Sequence, residues 1–320
     1  MSDLPLIQAD RAVPPPAATT STGGRGRRRR LRLLSRTDRV VITLMVLVPL
    51  LLVTAFVWLP AAATVLLSGT NWDGIGPLNE IEFIGARNYS DVVNNYPPFV
   101  PAVQHNLLWL AVLFVIATPF GMFLAVLLDK ELKGSRFYQT ALYLPVVLSL
   151  ALIGFVWQLL YSRDQGLINA VFGSNVDWYG DSSVNIWAVM VASGWRHVGY
   201  IMLLYLAGLK GVDPSLREAA AVDGASESRT FFRVVFPVLR PINIIVLVVT
   251  VIESLRAFDL VWVVNKGRNG LELISALVTQ NVVGEASRIG FGSALATIML
   301  IVSLVFITIY LATVMRENRE

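Results

Sequence analysis

Four stretches of this chain, Val40–Trp72, Val92–Leu128, Phe137–Ser162 and Ile289–Met315, contain no Asp, Glu, Lys or Arg. About 20 consecutive apolar residues carry a helix across a bilayer, so each stretch holds one span. Two further segments, Ser182–Leu209 and Pro241–Val264, are as long but carry internal charges. Six membrane-spanning helices are therefore expected, an all-α polytopic membrane protein. A composition of 55% hydrophobic and 15% charged residues agrees and excludes an ordinary soluble domain.

Charge placement orients the spans. Of 26 Lys and Arg, nine fall in Met1–Arg39, three in Asp129–Arg136, five in Lys210–Arg240 and two at Arg316 and Arg319. Nineteen thus lie on the side of both termini, against five in the opposite loops, with Arg196 and Arg256 inside spans. The positive-inside bias predicts cytoplasmic termini, which an even span count permits. Residues 1–38 read as a disordered basic cytoplasmic tail, 39–315 as the six-helix domain and 316–320 as a short cytoplasmic tail. The run after the tail is too long for a cleaved signal peptide and is expected to stay as an anchor. Eight arginines in Arg25–Arg39 read as a topology signal touching anionic lipid, not as a nucleic-acid site.

The chain has no cysteine, hence no disulfide or thiol chemistry, and its two isolated histidines predict no metal site. No internal repeat is evident, against a carrier built from duplicated halves. The longest outer loop, Ser68–Pro101, holds Trp72, Phe83, Tyr89, Tyr96 and Phe99. These aromatics suit either an interfacial belt or a docking surface.

The longest inner loop, Leu209–Pro241, reads as two short helices. Asp213-Pro214 starts the first, with Asp as cap and Pro at the first helical position. Leu216–Val222 continues it, and Gly224 supplies the backbone freedom that ends it. Ser226 caps a second piece bearing Phe231, Phe232, Val234, Val235 and Phe236, and Pro237 and Pro241 mark the break before the fifth span. Ala219, Ala220 and Ala221 are expected as an exposed, smooth face flanked by Glu218 and Asp223. Such a face suits a docking partner; the competing reading is a helix lying on lipid.

The fourth span contains Trp195, Arg196, His197 and Tyr200; the fifth contains Glu253, Ser254, Arg256, Phe258, Asp259 and Trp262. Charges inside a membrane are costly and face a protein interior or an aqueous path. Glu253, Arg256 and Asp259 recur at three-residue spacing, one slanted helix face on which Glu253–Arg256 or Arg256–Asp259 could pair. Aromatic platforms beside hydrogen-bonding charges suit a sugar, although purely structural pairing stands as an alternative.

The run Leu206-Ala207-Gly208-Leu209, Asp213-Pro214, Glu218-Ala219-Ala220, Asp223-Gly224-Ala225, Phe232, Pro237 and Pro241 resembles the signature loop of binding-protein-dependent ABC importer permeases. The resemblance implies the type I ABC importer permease fold, in which this loop is a coupling helix seated on a cytoplasmic ATPase. Glu218, Ala219, Ala220, Asp223, Gly224 and Ala225 would be the coupling residues. Phe258-Asp259-Leu260-Val261-Trp262 resembles the fifth span of carbohydrate-importing members. By that likeness Arg196, His197, Tyr200, Glu253 and Ser254 would meet the solute, and together with Trp195, Arg256, Phe258, Asp259 and Trp262 they make up the expected substrate pathway. The family's Gly-Gly-Pro after this span is replaced here by Lys266-Gly267-Arg268-Asn269-Gly270.

The resemblance further implies a second, different permease chain, two ATPase subunits carrying ATP and Mg, and an external solute-binding protein or lipoprotein. The chain itself would bind no cofactor, since it has no phosphate loop ending in Lys followed by Ser or Thr. The expected place is a bacterial or archaeal plasma membrane, and the expected cargo a sugar or oligosaccharide. Glycerol phosphate or glycerophosphodiesters are the alternative cargo, because Arg196 and Arg256 could meet an anion. An ion-coupled carrier using Glu253 and Asp259 is the alternative of another class. A membrane enzyme lacks a nucleophile–base pair.

Overall fold

The structure, a computed structural model, describes residues 35–75, 77–130, 133–284 and 287–317. Most of the expected 1–38 tail and residues 318–320 of the expected C-terminal tail lie outside them. The chain divides into two units, Met1–Phe56 and Val57–Glu320.

In the first unit, helix α1 (Arg36–Val53) opens with a reciprocal cap. The Ser35 hydroxyl accepts from the Asp38 N–H at 3.1 Å, and the Asp38 carboxylate accepts from the Ser35 N–H at 3.0 Å. Its large apolar side chains are exposed, as suits contact with lipid.

The second unit holds α2 (Leu59–Leu67), α3 (Arg87–Asn94), α4 (Phe99–Asp129), α5 (Ser135–Val147), α6 (Leu150–Leu160) and α7 (Leu167–Phe172). There follow α8 (Asn185–Lys210), α9 (Pro214–Val222), α10 (Glu227–Val238), α11 (Arg240–Leu255), α12 (Asp259–Asn265), α13 (Ile274–Val282) and α14 (Ile289–Glu317).

Among the described residues, Thr37–Leu67, Phe99–Asp129 and Ile289–Ile309 are long and apolar enough to cross a membrane singly. Counting each of two bent pairs as one span brings the number to five. Helix α8 is the sixth by length, 26 residues or about 39 Å at the rise of an α-helix. Its Arg196 and His197 make it less apolar; His197 is buried and Arg196 half-buried.

The third expected span is broken: α5 and α6 meet at 103°. Pro145 weakens the end of α5, Leu148 is extended, and the Ser149 hydroxyl caps α6 by accepting from the Leu152 N–H at 3.2 Å. Prolines mark three further irregularities. Widened turns at Thr54–Trp58, Leu113–Ala117 and Phe231–Val235 each end two residues before a proline: Pro60, Pro119 and Pro237. A proline cannot donate to the preceding turn and its ring crowds it, so the helix widens there.

The spans pack where side chains are small. A Cβ on Gly121 of α4 would sit 2.9 Å from the Val198 carbonyl oxygen of α8, and one on Gly199 would meet the Leu142 oxygen of α5 at 2.3 Å. Without hydrophobic driving force inside lipid, such close backbone approach is a main source of helix association. Ile201, Met202 and Tyr205 of α8 bury against Ala125 of α4 and Val246 of α11. The outer-loop aromatics turn inward in part. The Tyr89 hydroxyl lies 2.6 Å from the Ser68 hydroxyl, and Tyr96 packs edge-on to Phe291, while Phe83 is exposed.

Candidate functional site

The inner loop folds as its residues predict. The Asp213 carboxylate accepts from the Ser215 N–H at 2.9 Å, and Pro214 takes the first position of α9. The backbone and side-chain hydrogen bonds of Ser215 hold the Asp213 carboxyl below its ordinary pKa. At the other end the Ala225 N–H reaches the Ala220 carbonyl at 2.9 Å and the Gly224 N–H reaches Ala221 at 3.0 Å. Gly224 sits at φ +73°. This paired closure requires a left-handed residue, which glycine supplies without steric cost. The expected face of three exposed alanines is corrected. Ala219 and Ala221 are exposed, but Ala220 lies on the packed side of α9 at 8% exposure. Glu218, Val222, Asp223 and Gly224 remain exposed, and Ala225 is half-buried.

The back of α9 is strapped to the inner end of α4. Asp129, the last residue of α4, lies 2.8 Å from Arg217 of α9 and 3.8 Å from Lys210 at the end of α8. The neighbouring Lys130 pairs with Glu227 of α10 at 2.6 Å. Asp129 was not among the residues singled out from the sequence; its only mark there is its place as the first charge after an uncharged run.

Between α8 and α11, the Arg196 guanidinium meets the Glu253 carboxylate at 3.4 Å. The helical face expected to align Glu253, Arg256 and Asp259 does not exist. Helix α11 ends at Leu255 and α12 begins at Asp259, so neither expected pair within the span forms. Among the described residues Arg256 and Asp259 are exposed and make no ion pair. The break is tolerated because its freed carbonyls find donors. The Ser275 hydroxyl of α13 donates to the Ala257 oxygen at 2.5 Å, and the Asn106 amide of α4 donates to the Ser254 oxygen at 3.2 Å.

The remaining predicted pathway residues divide. His197 and Ser254 are buried in helix packing. His197 Nε2 lies 3.2 Å from the Thr250 hydroxyl, and the Ser254 hydroxyl donates to the Val251 carbonyl. Tyr200 is half-buried against the α4–α8 core. Trp195 is 40% exposed and edges Trp157, whose ring also meets Tyr161. Phe258 and Trp262 stack with centroids 5.3 Å apart across the start of α12. The structure therefore brings Arg196 and Glu253 together, keeps Phe258 beside Trp262, and removes His197 and Ser254 from exposed surface in this chain.

Residues 18–317 match the family described as binding-protein-dependent transport system inner membrane component. The xylose/arabinose import permease protein XacH of Haloferax volcanii is 31% identical, over 82% of this chain and 84% of its own. The arabinooligosaccharides transport system permease protein AraP of Halalkalibacterium halodurans is 32% identical, over 76% and 79%. A solved structure of a bacterial alginate ABC transporter, in complex with an alginate pentasaccharide-bound periplasmic protein, superposes with a TM-score of 0.74. It covers 86% of this chain and 93% of that one; at 18% identity this likeness speaks for the fold. Helices apolar enough to cross a membrane, an α9 loop closed on Gly224 and a family match over nearly the whole length lead to one identity. The chain belongs to the inner-membrane permease subunits of binding-protein-dependent ABC importers.

Proposed function

We propose that this chain carries a sugar or oligosaccharide inward, with α9 as the element that receives the force of ATP hydrolysis. The supporting observation for the cargo is the chemistry of its relatives, a pentose importer and an arabinooligosaccharide importer. For the coupling role it is the arrangement of α9. Its exposed side offers Glu218, Ala219, Asp223 and Gly224 to a partner, while Arg217 on its other side is tied to Asp129.

In this reading an external binding protein or lipoprotein delivers solute to the outer loops. A second, different permease completes the pathway, and two cytoplasmic ATPase subunits bind ATP and Mg. Their closure pushes α9, and the strap through Asp129 passes the movement to α4 and α8. Arg196, Glu253, Arg256, Phe258, Asp259 and Trp262 line this chain's share of the path, with His197 and Ser254 holding α11 in place behind them. The termini lie in the cytoplasm of a bacterial or archaeal cell, as the 19-to-5 charge bias argues.

The test is transport by the assembled complex in proteoliposomes. Glu218→Lys and Gly224→Trp are expected to leave the chain inserted while abolishing ATP-driven sugar uptake. The space around Gly224 is open, so the Trp variant acts through backbone strain and the docking face, not through internal crowding. Full uptake and normal ATPase association in both variants would sink the coupling role. Uptake that persists without the ATPase, or under orthovanadate, would favour an ion-coupled carrier.

A further inference from the structure

The loop after the fifth span, where the family pattern is replaced, shapes a cavity of about 620 Å³ at the end of α12 remote from the coupling loop. Lys266, Arg268 and Arg288 line it together with Trp262, Tyr96 and Gln280. The volume is in the range of small-ligand sites. Lys266, Arg268 and Arg288 thus bring three cations to one space.

The basic groups stand on a built frame. Lys266, Gly267, Asn269 and Gly270 all have positive φ. The Asn265 side chain accepts from the N–H groups of Gly267 and Arg268 at 3.1 and 3.2 Å, and its amide donates to the Arg268 carbonyl at 2.6 Å. The Gln280 amide of α13 donates to the Lys266 carbonyl at 2.7 Å and the Gly267 carbonyl at 3.1 Å. A Cβ on Gly267 would meet Ala276 at 2.3 Å, so the turn is pressed against α13. Arg288 is held separately. It donates to the Asn281 side-chain oxygen at 2.7 Å, and its guanidinium lies 4.6 Å from the Phe291 ring centre. The Asn281 amide in turn donates to the Tyr96 hydroxyl. Among the described residues the Lys266 and Arg268 side chains make no ion pair, hydrogen bond or ring contact that would neutralise them.

A neutral sugar offers hydroxyls but cannot neutralise charge, and bringing it against three cations strips them of water without return. A sugar bearing a carboxylate does both: Arg and Lys meet its anionic oxygens with charge-assisted hydrogen bonds, and the Trp262 and Tyr96 side chains in the lining give its apolar side a surface to pack on. We propose that this cavity is a binding site for a carboxylate-bearing sugar of the uronic-acid class, on the outer side of the permease and separate from the Arg196–Glu253 pair. The inference rests on the importer reading and narrows its cargo. Trp262 belongs to both the cavity and the Phe258–Trp262 stack, so the cavity adjoins the residues assigned to the path.

Full-length chain in nanodiscs of uncharged lipid, titrated with trigalacturonate and with maltotriose, tests this by calorimetry and tryptophan fluorescence. Trigalacturonate is expected to bind and maltotriose not to. The Lys266→Gln/Arg268→Gln double variant, which alters exposed side chains only, is expected to weaken trigalacturonate binding about tenfold or more. Arg288→Lys keeps the charge but loses the planar fork, and an intermediate loss is expected. Equal binding of maltotriose, undiminished trigalacturonate binding in the double variant, or equal competition by inorganic phosphate would overturn the proposal. ATP-driven uptake of a neutral sugar by the complex, unchanged in the double variant, would retain the importer reading while rejecting the acidic cargo. If the double variant instead loses only its affinity for the external binding protein, the cations serve docking and the sugar site is refuted.

Discussion

Arg196 and Glu253 show how much a single charged residue depends on its neighbour across the fold. Their side chains are 23% and 40% exposed, too open for a large Coulomb gain and too enclosed for either to stand alone at no cost. Arg196→Ala and Glu253→Ala are each expected to lower uptake and thermal stability, and the double variant is expected to be no worse than the more damaging single one. A double-mutant cycle on melting temperature and uptake checks this; strictly additive losses would mean that the two residues act independently. The sequence shows that membrane charges need partners, and that much was legible. The partner was not, because Glu253 is nearer in the chain to Arg256 than to Arg196. The helix ends at Leu255, and the register of α8 against α11 brings together residues 57 positions apart. Ala220 gives the same lesson at smaller range. Its place in the motif was readable, but the side on which α9 packs decides which alanine is covered.

At the scale of the element, the helices follow their local signals closely. Ser35, Ser149, Asp213 and Ser226 cap where capping residues belong, and prolines follow each widened turn. The bend between α5 and α6 is less legible, because an uncharged run of 26 residues reads as one straight span and lipid tolerates either shape. Helix α13 also escapes a hydropathy reading. It lies in a loop, yet its Ala276, Leu277 and Asn281 are buried. Packing between spans uses glycine where two backbones approach closely. Gly199→Ala is expected to destabilise the α5–α8 contact by about 1–3 kcal/mol, the usual cost of overpacking. Thermal unfolding in detergent measures it. Gly173→Ala is the contrast, since a Cβ there meets nothing within 4 Å and only its φ of +61° resists.

For the molecule as a whole, the proposed coupling role makes the strap at Asp129 the contact through which a push on α9 would reach the spans. One carboxylate, 10% exposed, joins the coupling helix, the end of α8 and the end of α4. Asp129→Asn is expected to leave ATPase subunits bound and hydrolysing while sugar uptake falls severalfold. Arg217→Gln should behave alike, and the two together should be no worse than either. Uptake and hydrolysis measured on the same proteoliposomes separate this from a loss of assembly. Unchanged uptake per ATP in both single variants would show that force reaches the spans by another contact. By itself the sequence determined the class of the molecule. Uncharged runs, loop charges and a loop motif depend on local composition and on the cost of charge in lipid, and these hold whatever the tertiary arrangement. Only the tertiary structure decided which charges meet, which predicted pathway residues are buried and where the cations of residues 266–288 converge. Those outcomes depend on helix ends and on the register of packed spans, where a shift of one residue turns a side chain by about 100°.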